Sequence, residues 1–229
     1  MLYVKKLSAN GVISMIVNIV TGFLGSGKTS LIRHLAGKLL PEGEVAVLVG
    51  EFSEVSIDGT ILSKEVPNVL ETGSECIYCT LSADMARQIS FAERTFSPQR
   101  LLVEYPGVVA VQGLLAALRV SGAHFSKGQL HVTYVIDGPS FESLYAQSPH
   151  FVHSQICRAD TLVLNKCDLL GGREASDLAE RLRRLNPRAR LVLTSFGQVS
   201  LKDLRPKRRK VSVADDTPLI CAGPQYAND

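Results

Sequence analysis

The stretch at residues 22–29, GFLGSGKT, has the phosphate-binding spacing G-x-x-x-x-G-K-[ST]. An apolar, β-branched run precedes it and a helical pattern follows it, so a strand, a loop and a helix are predicted in that order. Glycines in such a loop turn backbone N–H groups toward phosphate oxygens, and the helix adds its positive N-terminal end. Lys28 is predicted to reach the β- and γ-phosphates, and Thr29 to place its hydroxyl on Mg²⁺. The alternative is a glycine-rich turn that binds no nucleotide. The predicted nucleotide-binding residues of this stretch are Gly22, Gly25, Ser26, Gly27, Lys28, Thr29 and Ser30.

A second motif, NKCD at residues 165–168, predicts recognition of guanine. A carboxylate at Asp168 can accept hydrogen bonds from the ring N–H and the amino group of guanine, and adenine offers neither in that position. Asn165 and Lys166 complete the motif. Residues 194–196 follow the next predicted strand, where a backbone N–H can contact the guanine carbonyl, so Ser195 joins the predicted site. These residues favour GTP as the nucleotide.

An acid is predicted to hold the magnesium ion from a neighbouring strand. Glu104 follows the predicted strand at 100–103, and the carboxyl end of a strand parallel to the first one faces the nucleotide crevice. We expect Glu104 to hold the Mg²⁺ water shell or to orient the attacking water, with Lys28 as the second catalytic residue and Thr29 as a magnesium ligand. Gly107 is expected to permit close backbone approach to the γ-phosphate. All of these roles depend on the strand order.

Two cysteines form a C-x-x-C pair, Cys76 and Cys79. This spacing lets two thiolates share one metal ion or one disulfide, and a structural zinc site would need two further ligands. Two buried, small apolar side chains are the alternative. The acidic loop that begins at Glu51 either supplies metal-binding carboxylates or is a solvated surface loop. His150 and His153, three residues apart, can face one way on a helix and either bind metal or lie on the surface.

Composition is that of an ordinary globular chain, with 229 residues, 45% hydrophobic and 21% charged. The formal net charge of +3 argues against a nucleic-acid or membrane role. No apolar run reaches the ~18 residues of a membrane span, and no signal-peptide pattern opens the chain, so a cytoplasmic location is expected.

The order of the predicted elements indicates an α/β fold. We expect a three-layer P-loop NTPase with a mostly parallel central sheet flanked by helices. The predicted organisation is an N-terminal extension at 1–14, a P-loop GTPase domain at 15–205 and a short C-terminal tail at 206–229. Helices are predicted after the phosphate-binding loop, up to about residue 96, around 150, and at 173–185, and strands at 16–20, 44–49, 66–70, 100–103, 131–137, 160–164 and 190–193.

Together, these motifs resemble the CobW/HypB/UreG family of metal-handling GTPases, and most closely its CobW-like branch. Across roughly residues 15–205, GFLGSGKTSLIRHL resembles the family's Walker A motif, GEFSEVSIDG its N-E-F-G-E-x-x-x-D loop, ECIYCTL its C-x-C-C, EYPGV its E-x-x-G, and QICRADTLVLNKCDLL its guanine motif. The resemblance implies GTP hydrolysis coupled to delivery of Zn²⁺, Co²⁺ or Ni²⁺ to a client metalloprotein or cofactor-assembly protein. Metal ligation is then expected at Cys76, Cys79 and Glu51.

Three departures from the family pattern limit what can be carried over. Tyr78 stands in place of the middle cysteine, and Gly50 and Ser53 replace the Asn and Gly of the acidic loop. We expect no counterpart of the C-terminal domain that is common in the CobW-like branch.

A regulatory GTPase that activates a partner metalloenzyme or cofactor protein without carrying metal is the alternative function. The missing cysteine favours it and the remaining C-x-x-C opposes it. A small-molecule kinase is a third interpretation, which N-K-x-D opposes. Slow turnover is expected because no arginine finger is evident in the chain. The sequence leaves open whether the protein dimerises around the nucleotide.

Overall fold

A computed structural model describes residues 15–40, 45–51, 69–73, 81–120 and 129–204 of this chain. The predicted N-terminal extension, Cys76, Cys79 and the predicted C-terminal tail lie outside these ranges. None of the helices within the described ranges is long and apolar enough to cross a bilayer.

Strands and helices alternate along most of the described chain. The strands are β1 (Ile16–Thr21), β2 (Val45–Glu51), β3 (Val69–Gly73), β4 (Arg100–Glu104), β5 (Leu130–Asp137), β6 (Thr161–Asn165) and β7 (Arg190–Leu193). The α-helices are α1 (Lys28–Leu39), α2 (Leu81–Phe96), α3 (Val111–Val120), α4 (Phe141–Gln147), α5 (Pro149–Arg158) and α6 (Gly172–Leu185), and short 3-10 helices span Cys167–Leu169 and Leu201–Leu204.

The strands of the described chain form one seven-stranded sheet in the order β3-β2-β4-β1-β5-β6-β7, and neighbouring strands pair in parallel. The predicted fold class is therefore confirmed. The chain builds one half of the sheet with β2, β3 and β4 and then crosses β1 to build the other half. This reversal leaves a crevice at the carboxyl end of β1, where ligands bind in open α/β sheets.

Helices cover both faces of the sheet, as the alternation of side chains along each strand requires. On β1, Val17 and Ile19 belong to a core cluster with α2 and α3 side chains, whereas Val20 belongs to a cluster with α1. On the first face, β5 and β6 pack against α5 and α6. The buried side of α1 carries Leu31, Ile32, Leu35, Ala36 and Leu39, and burying each large aliphatic side chain contributes about 1.5–3 kcal/mol. The core thereby fixes α1, and with it the phosphate-binding loop, against the sheet.

Element boundaries differ from the predicted ones in two informative places. β2 continues to Glu51, two residues past its predicted end, because β3 pairs with it as far as Gly73. The predicted helix around His150 is preceded by a separate helix, α4. Pro149 is the first residue of α5, and proline fits the first helical turn because its missing N–H would have no intrahelical partner there.

Candidate nucleotide-binding site

The loop between β1 and α1 has the conformation that its glycines allow. Gly22, Gly25 and Gly27 have φ of 150°, 76° and 97°. A Cβ atom on Gly27 would lie 2.3 Å from Asn165 Nδ2, so no larger residue fits this position without moving the buried asparagine. Ser26 is fully buried within the loop, and Ser30 is exposed on the first turn of α1.

Three polar side chains meet beside this loop. The buried Lys28 donates from Nζ to the Phe23 carbonyl oxygen at 3.2 Å and lies 3.9 Å from Glu104 Oε1. The Thr29 hydroxyl lies 3.1 and 3.0 Å from the two carboxylate oxygens of Glu104, to which it donates. Glu104 reaches this point because it is the register partner of Val20 in the adjacent strand β1. The set fits a magnesium–triphosphate group, since it offers an ammonium, a helix N-terminus, a hydroxyl and a carboxylate at one place.

The loop after β4 packs directly on the phosphate-binding loop. A Cβ atom on Gly107 would lie 1.9 Å from the Gly22 carbonyl oxygen and 2.6 Å from the Phe23 nitrogen. The Tyr105 N–H donates to the Val20 carbonyl at 2.8 Å and holds the start of this loop. Gly107 is thus required for contact between two backbones, and its predicted approach to the γ-phosphate stays a prediction.

Asn165 joins the phosphate-binding loop to the guanine motif. Its side chain is buried, its Nδ2 donates to the Ser26 carbonyl at 2.8 Å, and its Oδ1 accepts from the Gly197 N–H at 3.0 Å. Asn165 lies inside the predicted site, but these carboxamide contacts are made within the protein. Recognition of a base edge is therefore expected from Asp168.

Lys166 is held by an acid that is not among the predicted site residues. Lys166 Nζ donates to Asp137 Oδ2 at 2.6 Å, and the Asp137 side chain is largely buried. Asp137 ends β5 and is the register partner of Asn165 on β6. The sequence did contain a signal for this residue, because Asp137 is an acid at the end of a predicted strand. Only the pairing of β5 with β6 shows that this acid contacts Lys166.

The carboxylate of Asp168 faces solvent at the end of this motif. The Asp168 N–H donates to Ser195 Oγ at 3.1 Å, and the Cys167 N–H donates to the Thr194 carbonyl at 3.1 Å. These bonds bring the predicted residue Ser195 beside Asp168. Cys167 packs against the core cluster of β5 and β6, and burial raises the pKa of its thiol, so it stays protonated.

The predicted metal-binding residues are placed only in part. Glu51 ends β2 opposite Gly73 of the edge strand β3, whereas Cys76 and Cys79 lie outside the described residues. His150 is exposed and His153 is buried, so the two histidines do not face one way. Within the described ranges, no group of three or more His, Cys, Asp and Glu side chains is arranged to hold a metal ion.

Gly50, which stands in place of the family's asparagine, packs against a buried side chain of α2. A Cβ atom on Gly50 would lie 2.3 Å from the terminal methyl carbon of Met85 on α2. Met85 is fully buried and fills the space that a side chain at residue 50 would occupy.

Sequence comparison assigns this site to a family. The model of the CobW/HypB/UreG nucleotide-binding domain matches residues 16–193, which include all of the nucleotide-site residues named above except Thr194, Ser195 and Gly197. The chain belongs to the CobW/HypB/UreG family. Membership confirms the resemblance inferred from the motifs.

Two zinc chaperones that the chain resembles are longer than the chain itself. The zinc chaperone YjiA of Escherichia coli K12 is 29% identical over 197 residues, which are 81% of this chain and 59% of YjiA. The zinc chaperone YeiR of the same organism is 34% identical over 153 residues, 66% of this chain and 46% of YeiR. The chain thus spans about half the length of the relatives it matches.

Solved structures show the same fold. The Zn(II)-bound YjiA GTPase from E. coli has a TM-score of 0.53 at 23% identity and matches 84% of this chain and 61% of its own. HypB from Helicobacter pylori in complex with nickel has a TM-score of 0.54 at 15% identity, with 81% of each chain covered. At such identities these likenesses concern the fold alone.

Substitution Gly107→Ala tests the contact between the two loops. The added methyl group must displace the Gly22 carbonyl, so we expect a loss of about 1–3 kcal/mol in the free energy of unfolding and weaker GDP binding. Urea unfolding and calorimetric GDP titration measure the two effects. Gly37→Ala is the matched control, because its Cβ meets no heavy atom within 4 Å and alanine favours the α1 interior. Equal unfolding free energies and equal GDP affinities of the two variants would contradict the importance of this contact.

Substitution Asp137→Asn tests whether the acid positions Lys166 toward a nucleotide. Lys166 then loses its counter-charge, and we expect GDP affinity to fall about three- to tenfold, a modest loss because solvent screens a lysine side chain that is 34% exposed. Affinity for inorganic tripolyphosphate, which has no base or ribose, should stay unchanged. Glu142→Gln, which removes the exposed pair with Arg181, is the control. A parallel loss for both ligands would show that Asp137 serves stability alone.

Proposed function

We propose that this chain binds Mg–GTP, hydrolyses it slowly and couples its nucleotide state to delivery of Zn²⁺, Co²⁺ or Ni²⁺ to a client metalloprotein or cofactor-assembly protein. The observation that carries the proposal is the meeting of Lys28, Thr29 and Glu104 at the sheet edge that also carries the exposed carboxylate of Asp168.

Phosphate chemistry is assigned to the residues around the loop. Lys28 exchanges the Phe23 carbonyl for oxygens of the β- and γ-phosphates, and Thr29 turns its hydroxyl oxygen to the ion. Glu104 holds the water shell of the ion or orients the water that attacks the γ-phosphorus, while the bond to the β-phosphate oxygen breaks and GDP leaves. Bound Mg²⁺ would neutralise charge on the phosphates. Slow turnover is part of the proposal because no arginine finger is evident in the sequence.

Asp168 is assigned to the guanine base. Its side chain is exposed and its backbone is fixed by Ser195, so the carboxylate is available to the ring N–H and amino group of guanine. Asn165 keeps this motif in contact with the phosphate-binding loop, and Lys166 is held by Asp137.

The path from nucleotide to metal follows neighbouring strands. Val49 on β2 is the register partner of Glu104, and Glu51 stands two residues further along β2. Glu51 is in turn the partner of Gly73 on β3, three residues before Cys76 in the sequence. Glu104 and Glu51, the one candidate ligand of the cargo metal within the described residues, thus end adjacent strands. In this proposal, the γ-phosphate changes the order of the acidic loop. That change would alter the geometry of the metal ligands, as in other nucleotide switches.

Names of relatives support metal as the cargo. YjiA and YeiR are called zinc chaperones, and a relative from Dictyostelium discoideum is called a zinc-regulated GTPase metalloprotein activator. These proteins are longer than this chain, so the client and the metal are proposed here from the family and the C-x-x-C pair.

Metal affinity measured by chelator competition under reducing conditions tests the proposal. We expect thiol-dependent Zn²⁺ and Co²⁺ binding whose affinity differs between Mg–GDP and a non-hydrolysable Mg–GTP analogue. Metal affinity should fall in the double variant Cys76→Ser, Cys79→Ser by at least ~10–100-fold, which is the loss that substitution of outer-shell residues causes. Cys167→Ser, at a protonated thiol packed near β6, is the matched control and should bind metal as the native chain does. Binding unchanged in the double variant would overturn metal carriage and leave a GTPase that acts through a protein partner.

A further inference from the structure

Phe196 combines an exposed ring with a strained backbone. Its side chain is 73% exposed and its φ is 57°, in the left-handed region that a large residue rarely adopts. Within the described residues, Ser97, Lys166 and Phe196 are the non-glycine residues with positive φ. Two of these three therefore lie on the two loops that carry the guanine motif and Ser195.

The loop around Phe196 is held in this conformation by hydrogen bonds. The Thr194 N–H donates to the Leu164 carbonyl at 2.9 Å, the Gln198 N–H to the Ser195 carbonyl at 3.2 Å, and the Gly197 N–H to Asn165 Oδ1 at 3.0 Å. A left-handed L-residue costs about 1–2 kcal/mol, and an exposed ring recovers little of it by burial. Strain that surrounding bonds impose in this way is found at ligand sites.

The neighbours of Phe196 indicate which ligand its ring serves. Ser195 accepts a hydrogen bond from the Asp168 N–H, and Gly197 binds Asn165, so the ring projects from a loop joined on both sides to the guanine motif. Asp168 itself is exposed to water, which weakens its discrimination between bases. An aromatic ring on the loop that binds the Asp168 backbone can offer a stacking surface to a base held by this carboxylate, and a stacked base and ring would shield the carboxylate from water.

We propose that the Phe196 ring stacks on the face of the guanine base whose edge Asp168 binds, and that it is a specificity-determining residue for the nucleotide. This inference rests on the proposed function, because it assumes that guanine occupies the site. Stacking of a base on an aromatic side chain is tolerant of base identity, so the ring adds affinity directly and adds selectivity by shielding Asp168.

Two substitutions separate the ring from the loop conformation. Phe196→Asn removes the ring but tolerates the left-handed backbone, and Phe196→Tyr keeps the ring. We expect calorimetric titration to show GDP binding about tenfold weaker in Phe196→Asn and within about twofold of native in Phe196→Tyr. Tripolyphosphate, which carries no base, should bind all three proteins equally.

The chain contains no tryptophan, so a tryptophan introduced at this position is a single fluorescent reporter. GDP should quench the fluorescence of Phe196→Trp, because the indole then stacks on guanine, whereas tripolyphosphate should not. Phe91→Trp is the matched control: Phe91 is an exposed phenylalanine on α2, and its tryptophan should respond to neither ligand.

The outcomes distinguish this inference from the proposed function. Native-like GDP affinity in Phe196→Asn, or unquenched fluorescence in Phe196→Trp, overturns the stacking role while guanine binding stands. Equal losses for GDP and tripolyphosphate in Phe196→Asn also overturn it, since they indicate a general effect on the loop. Failure of the native chain to bind GDP overturns both.

Discussion

The rest of the nucleotide site depends on one buried carboxamide, that of Asn165. It donates to the Ser26 carbonyl of the phosphate-binding loop and accepts from the Gly197 N–H of the loop after β7. Loss of either bond would leave a buried backbone group unpaired, at a cost of about 1–3 kcal/mol. The close fit of Gly27 to Asn165 Nδ2 is a consequence of this contact. The loop proposed to bind phosphate and the loop proposed to flank the base therefore belong to one hydrogen-bonded unit.

Parallel pairing of the strands determines which side chains can share that unit. Glu104, Asp137 and Asn165 end three different strands, and the register brings each of them to the edge at which β1 ends. Backbone strain is concentrated at the same edge, at Lys166 and Phe196. The core clusters on both faces of the sheet hold the strand ends in place, and hydrogen bonds between the loops hold the strained residues there.

Local pattern predicts the parts of this site that are contiguous in sequence. The run from β1 to α1 was predictable because its glycines, Lys28 and Thr29 stand at fixed spacing, and Glu104 was predictable because an acid ends an apolar strand. Asp137 was not, since its partner Lys166 is 29 residues away and only the β5–β6 register joins them. The contact of Gly107 with Gly22 and the different burial of His150 and His153 likewise depend on how distant segments pack. The phosphate and magnesium roles, like the metal ligands, stay predictions.

Calorimetric titration of the native protein with Mg–GDP and Mg–ADP, repeated on Asp168→Asn with GDP and xanthosine diphosphate, tests the central claim most directly. The native protein should bind GDP at least about 100-fold more tightly than ADP, because adenine would leave the Asp168 carboxylate unpaired. Asparagine at this position offers an amide N–H in place of a carboxylate oxygen, so the preference should move from GDP toward xanthosine diphosphate, whose ring carries a carbonyl where guanine has an amino group. Equal affinity of the native protein for GDP and ADP would contradict the assignment of this sheet edge as a guanine-nucleotide site.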